Sequence, residues 1–171
     1  VNGINDHIKH NLLILFVGFN PSLLSGKTGH HYANPRNRFW KILYYSGLTP
    51  KIHHFSEDAK LLSAGYGFTN IVQRPTKNAG EITKEEYKAG REDLIKKVVY
   101  YKPKIVCFVG KGVYKEYSKK PKSQWGIQND SMVPGTIDFV APSSSGLVRM
   151  KMDEIIKIYS ELTALAAKFT G

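Results

Sequence analysis

Apolar residues run without a break from Leu12 to Val17, and again across Ile105–Val109 within a segment that begins at Lys104. Short continuous runs of this kind are strands covered on both faces, as in parallel sheets. Phe68 to Val72 and Thr136 to Ala141 are two further strands. Between them the period changes to that of helices. Asn34-Pro35 reads as an N-cap and first helical position, with a helix to about Ser46 that Gly47 stops. Ser56-Glu57-Asp58 opens a shorter helix closed by Gly65. Thr83 and Glu86 form a capping box, and Tyr87, Leu94, Ile95, Val98 and Tyr101 mark one face of a helix that must end before Pro103. Residues 111–118 predict a helix after the turn at Gly110, and Ile155, Ile158, Tyr159, Leu162, Leu165, Ala166 and Phe169 carry a helical period towards the end of the chain. Strands alternating with helices, and no compositional break, predict an α/β fold: a single domain over 1–171 with a short, mostly parallel central sheet flanked by helices on both faces.

Composition adds a partner to this picture. The 171 residues are 42% hydrophobic and 12% aromatic, enough for a proper core, while 25 Lys and Arg against 14 acids give a net charge of +11. That surplus points to a polyanion, either nucleic-acid phosphates or anionic lipid. No apolar run approaches the roughly 20 residues needed to span a bilayer, and Val1-Asn2-Gly3-Ile4 does not look like a signal peptide. Nucleic acid is therefore the expected partner, with no membrane. The single cysteine, Cys107, has no internal partner and sits in an apolar run. It reads as a small core residue in a reduced, intracellular protein.

Candidate chemistry gathers at the strand ends. The first strand runs into Gly18-Phe19-Asn20-Pro21 and then a long polar loop through Ser22, His30, His31 and Tyr32. Open α/β sheets bind ligands at the carboxyl ends of their strands, so Asn20 is the leading candidate. The last strand runs into Pro142-Ser143-Ser144-Ser145-Gly146-Leu147-Val148-Arg149, a loop that can be a plain connector or can face the same cleft. Leu147 is then an apolar residue on a polar tip, the type that acts as a wedge where DNA is unstacked. His30-His31 and His53-His54 suggest a metal, but adjacent side chains diverge and neither pair has a further ligand at metal spacing. No metal and no cofactor is expected. Arg36, Arg38 and Lys41 around Phe39 and Trp40, and Lys111, Lys115, Lys119, Lys120 and Lys122 around Tyr114 and Tyr117, read together as a face that tracks phosphates.

The segment GFNPSLLSGKTGHHYANPRNRFWK resembles the first motif of the mismatch-specific uracil and thymine DNA glycosylases, usually GINPG followed by a loop and a helix beginning near NRFWK. FTNIVQRPT, YKPKIVCFVGKGVY, QWG at 124–126 and APSSSGLVR follow in that family's order, so the resemblance covers residues from about 12 to 150. It implies roles by position. Asn20 matches the residue that holds the attacking water beneath C1′ of a flipped nucleotide, and backbone N–H groups near Phe19 match those that receive the leaving pyrimidine oxygen. Tyr32 matches the ring that stacks on the extruded base, and Asn70 the group facing the pyrimidine edge. Gly146 and Leu147 match the segment that meets the orphaned guanine and fills the gap in the stack, and Arg149 a contact to the DNA backbone.

A carboxamide is too weak a base to deprotonate water, so such chemistry requires the glycosidic bond to break largely before water attacks. Two departures bear on the base pocket: Ser22 stands where GINPG has Gly, and Phe19 where it has Ile. Leu147 resembles a uracil-processing branch, whereas Asn70 and Ser143-Ser144-Ser145 resemble the thymine-processing one. The expected substrate is uracil opposite guanine in double-stranded DNA, with thymine and ethenocytosine as further candidates and Ser145 as a substrate-facing residue. No lysine other than Lys27 lies in either site loop to form a Schiff base, so a monofunctional enzyme without lyase activity is expected. A monomer is expected, working in the cytoplasm or nucleoid of a prokaryote or in a eukaryotic nucleus as the first step of base excision repair. The alternatives are a non-catalytic nucleic-acid-binding module of the same fold and a hydrolase of free nucleosides.

Overall fold

The computed structural model describes residues 3–170. Five strands form one sheet in the order β2-β1-β3-β5-β4: β1 is Ile14–Gly18, β2 Tyr66–Asn70, β3 Ile105–Val109, β4 Gly126–Ile127 and β5 Ile137–Ala141. The first three and β5 pair in parallel, and only the two-residue edge strand β4 is antiparallel. Four strands with β-branched and aromatic side chains buried on both faces explain the unbroken apolar runs. One face packs α2 (Phe39–Tyr45), α5 (Met152–Ala167) and a 3-10 helix (Phe55–Ala64) over Phe16, Phe68, Cys107 and Phe139. The other packs α3 (Lys84–Tyr101) and α4 (Lys111–Ser118) over Leu15, Val17, Val106 and Phe108. This is the α/β architecture that the alternating pattern predicts. No helix of the described residues is long and apolar enough to cross a membrane.

Three local expectations shift. The polar loop after β1 contains a short helix, α1 (Leu23–Thr28), capped by the Ser22 hydroxyl, which accepts from the Ser25 N–H, and closed by Gly29 at φ 79°. α2 starts at Phe39 rather than Pro35, because the Asn34 side chain takes the Arg36 N–H at 2.9 Å and turns the chain, and Asn37 Oδ1 then accepts from the Phe39 N–H at 3.0 Å. β2 begins two residues before Phe68. Gly67 is accommodated there since a side chain would collide with Leu12 and with the His7 carbonyl. The Thr83 capping box and the helix over 111–118 stand where expected.

The connection from β1 leads to β2 on one side, while β3 leads to β5 on the other. The strand order therefore reverses between β1 and β3, and the crevice that opens there is where sheets of this kind take ligands.

Candidate active site

A cavity of about 750 Å³ occupies that reversal. Its walls include Gly18, Phe19, Asn20 and Ser22 after β1, Tyr32 from the site loop, Asn70 at the end of β2, Val109 of β3, and Ser143 to Leu147 after β5. Asn20 and the serine-rich loop, separated by more than a hundred positions in sequence, thus share one cleft.

The Asn20 carboxamide is held by its nitrogen, which donates to the Arg74 carbonyl at 2.8 Å and to Thr76 Oγ1 at 2.8 Å. Thr76 in turn donates its hydroxyl hydrogen to the Asn78 carbonyl at 2.7 Å, so its lone pairs are directed at Asn20. Arg74 is fixed from outside the cavity by a two-pronged pair with Glu86 (2.8 and 3.0 Å), which also closes the N-terminal cap of α3. The Arg74 guanidinium, followed by the Thr83 N–H, holds the Glu86 carboxyl down at about 2. With both amide hydrogens committed, the Asn20 carbonyl oxygen is the acceptor left for a ligand or a water.

Asn70 is only 7% exposed, and its Nδ2 is buried with no hydrogen-bond partner among the described residues. A buried donor of this kind costs about 1–3 kcal/mol in lost solvation unless an acceptor meets it. Gly18 gives Asn70 its room, since a Cβ at 18 would lie 2.8 Å from Asn70 Oδ1.

Tyr32 has left-handed backbone at φ 52° and lies flat against Phe39, with ring centroids 3.9 Å apart and planes 8° apart. Its hydroxyl is buried with no partner among the described residues, and burial raises its pKa far above the ordinary tyrosine value. Trp40 Nε1 donates to the Tyr32 carbonyl at 3.1 Å, and Ser25 Oγ accepts from the Ala33 N–H at 3.1 Å, so the peptide that follows the left-handed residue is held through both its carbonyl and its N–H.

Phe19 turns its ring away towards α4. It stands against Gly112, where an added Cβ would lie 2.5 Å from the ring, and meets Tyr87 edge-on at 6.3 Å. The Ser22 hydroxyl is already used as the α1 cap. In the last loop, Ser145 Oγ accepts from the Leu147 N–H at 3.2 Å, and Leu147 is 89% exposed at the cavity rim. Gly146 lies against the Arg36 carbonyl, with no space for a side chain. Arg149 is exposed and lies outside the cavity lining.

The sequence reading missed Thr76 and misassigned Arg38. Thr76 stood inside the quoted FTNIVQRPT, but nothing in that string says that its hydroxyl reaches Asn20. The sequence places Arg38 among phosphate-tracking cations, whereas in the structure its guanidinium turns inward to carbonyls of the serine-rich loop.

The histidines also behave differently from adjacent pairs. His7 and His31 come together with the fully buried Asp58, their ligating atoms within 4.8 Å of one another, an arrangement that spacing in either His-His pair could not reveal. Asp58 Oδ2 accepts from His7 Nε2 at 3.0 Å and the His31 N–H at 2.8 Å, and Oδ1 from His30 Nδ1 at 3.0 Å and the Ala59 N–H at 2.8 Å. Burial alone would raise this carboxyl, but the hydrogen bonds from His7, the His31 backbone and His30 outweigh it and hold it below the usual carboxylate range. Four donors on one carboxylate make a knot tying the amino-terminal segment, the site loop and the 3-10 helix together.

The protein is a mostly parallel α/β sheet with a cavity at its strand reversal, whose lining includes the Asn20 and Asn70 carboxamides and Tyr32. The chain belongs to the uracil DNA glycosylase superfamily, whose profile matches residues 6–163. It is therefore of the DNA glycosylase class, hydrolases that cut N-glycosidic bonds in DNA. A protein of Methanosarcina acetivorans, solved in solution by NMR and described as a candidate uracil DNA glycosylase, shares the fold with a TM-score of 0.58 at 22% identity. The match covers 94% of this chain and 97% of that one.

Proposed function

We propose that this protein is a monofunctional, mismatch-directed glycosylase that flips uracil opposite guanine out of double-stranded DNA and hydrolyses its glycosidic bond, with thymine and ethenocytosine as lesser substrates. The observation that carries this reading is the Asn20 carboxamide, whose nitrogen is tied down and whose oxygen is left to hold a water. An amide cannot remove a proton from water ahead of bond cleavage, so the sugar must develop oxocarbenium character first and the positioned water then traps it. The departing pyrimidine anion would be met by backbone N–H groups near Phe19, in the manner of an oxyanion hole. The spare Asn70 N–H suits a pyrimidine carbonyl, and Tyr32, backed by Phe39, offers a rigid face for stacking.

Leu147 at the rim suits the gap left in the duplex, with Gly146 beside the widowed guanine and Arg149 on the outer phosphates. The unpairing cost is lowest at a mismatch, so the DNA itself contributes to selectivity. A net charge of +11 supports phosphate contacts along the duplex. We propose that the protein acts alone, as a single domain and a monomer, at the start of base excision repair.

Single-turnover excision on matched duplexes carrying G·U, A·U, G·T or ethenocytosine, followed by alkali to cut abasic sites, tests the proposal. The expected order is G·U first, with strand breaks appearing only after alkali. Breaks without alkali would overturn the monofunctional reading, and equal rates on G·U and A·U the mismatch reading. Binding without any abasic product would favour a non-catalytic module.

A further inference from the structure

Arg38 is the one cation of the basic cluster at 36–41 whose guanidinium is held by hydrogen bonds to the serine-rich loop. It sits just before α2, its backbone N–H donates to the Ser144 carbonyl at 2.9 Å, and its Nη2 donates to the carbonyls of Ser145 at 3.0 Å and Val148 at 3.4 Å. Those two carbonyls bracket Gly146 and Leu147. The guanidinium therefore closes the base of a two-residue tip whose outer member is almost fully exposed. The tip leans on the same segment from the other side, since a Cβ on Gly146 would lie 2.7 Å from the Arg36 carbonyl. Within the loop, the Ser145 N–H donates to Ser143 Oγ at 3.2 Å and the Val148 N–H to the Ser145 carbonyl at 3.2 Å. Among the described residues, hydrogen bonds from Arg38 tie the tip to the start of α2, while the Tyr159 hydroxyl of α5 donates to the Pro142 carbonyl at the root of the loop at 2.7 Å.

An apolar side chain can enter a base stack only if its backbone does not yield when pushed. A flexible loop would retreat, and the duplex would close again. A single guanidinium nitrogen with two hydrogens can serve both carbonyls at once, and its planar geometry fixes their separation; a lysine ammonium is a point charge on a flexible stem.

We infer that Arg38 is a positioning residue for base extrusion: it braces the Gly146-Leu147 tip so that Leu147 can occupy the space vacated in the stack, and it takes no part in breaking the glycosidic bond. This rests on the proposed function, in which Leu147 is the wedge. Arg38 Nε is buried with no partner among the described residues, so the hydrogen bonds of this guanidinium to the loop are made through Nη2.

The test uses a G·U duplex whose uracil carries a 2′-fluoro sugar to block cleavage, with 2-aminopurine beside the uracil as a fluorescent reporter of unstacking. Wild-type protein should raise the fluorescence on binding. Leu147→Ala should remove most of that rise, and Arg38→Ala should remove it to a similar extent, while adding Leu147→Ala to Arg38→Ala should change little more, as for two residues acting through one device. Arg38→Lys should be intermediate, and Gly146→Ala, which forces the tip off Arg36, should behave like Arg38→Ala. Non-specific affinity for a fully paired duplex should stay within about twofold, since Arg38 makes no phosphate contact in this scheme.

A wild-type rise with Arg38→Ala, or losses that add independently, would overturn the inference while leaving the wedge intact. A full rise with Leu147→Ala would overturn the wedge and the brace together. No rise with wild-type protein would overturn base flipping itself. If Arg38→Ala does not fold, Arg38→Lys and Gly146→Ala decide the matter by the same readout.

Discussion

The side-chain nitrogen of Asn20 donates to the hydroxyl of Thr76 at 2.8 Å, across 56 positions of sequence. The hydroxyl passes its own hydrogen on to the Asn78 carbonyl, so the amide is locked with its nitrogen inward and its oxygen available. Losing this contact leaves the amide nitrogen held by the Arg74 carbonyl alone, and a displacement of about 1 Å at a positioned nucleophile costs roughly a hundredfold in rate. Thr76→Ala is therefore expected to slow single-turnover excision by roughly ten- to a hundredfold with little change in duplex affinity, and Thr76→Ser to retain most of the rate. Equal rates for Thr76→Ala and wild type would show that the contact does not orient Asn20.

Asn70 offers a buried N–H with no partner, so its removal should be felt only when a pyrimidine is present. Asn70→Ala should lower kcat/KM for uracil roughly five- to 150-fold, the equivalent of the about 1–3 kcal/mol of one buried hydrogen bond. The folded protein should not lose stability, because the group it loses is one left unmet in the free state. A large drop in melting temperature with unchanged kcat/KM would contradict this assignment.

Phe19 and Gly112 are matched in size. Gly112→Ala would put a methyl group 2.5 Å from the Phe19 ring, and overpacking of this sort costs about 1–3 kcal/mol. Phe19→Ile should tolerate the added methyl. A double-mutant cycle in chemical denaturation should show a coupling of the order of 1 kcal/mol between the two sites. Additive losses would mean that the ring is free to move elsewhere.

Much of this arrangement was legible before any coordinates. The unbroken apolar runs marked β1 and β3 because both faces of those strands are covered, and the Thr83–Glu86 box marked the start of α3 because capping is local chemistry. The Asn34-Pro35 start of α2 misled, since an Asx turn and a helix cap use the same residue types and only the position of Asn37 decides between them. α1 was hidden in a six-residue segment rich in Gly, Ser and Thr, with Ser22 as a cap and Gly29 as a stop. Asn20 was legible as a strand-end carboxamide, whereas Asn70 stood out only through the family resemblance, since the strand expected over Phe68 to Val72 places it mid-strand and the observed β2 ends on it. Thr76, Arg38 and Asp58 were not, because their partners lie tens to more than a hundred residues away and nothing in a linear pattern encodes such contacts.

His31 supplies a pH dependence. Burial, with a smaller contribution from His7, lowers its pKa from 6.5 to about 4 against the opposing hydrogen bond to the Asn5 carbonyl. Its folded-state pKa lies below its unfolded one, so the unfolded chain binds more protons as the pH drops through 6.5. Stability should therefore fall between pH 6.5 and about 4, by up to about 3 kcal/mol from this group, and the contribution should level off below that. Asp58 adds a further loss only below the ordinary carboxylate range. Denaturation across pH 4–8 should show this slope in wild-type protein and a flatter one in His31→Gln. A wild-type curve that is level from pH 8 to pH 4 would contradict the buried neutral imidazole.

The central claim is that one amide directs a water at the sugar of an extruded uracil, and Asn20→Ala measures it most directly. On a G·U duplex, the variant should bind with near wild-type affinity while single-turnover formation of alkali-labile sites falls by roughly a hundredfold or more. Excision by Asn20→Ala at the wild-type rate would contradict the account.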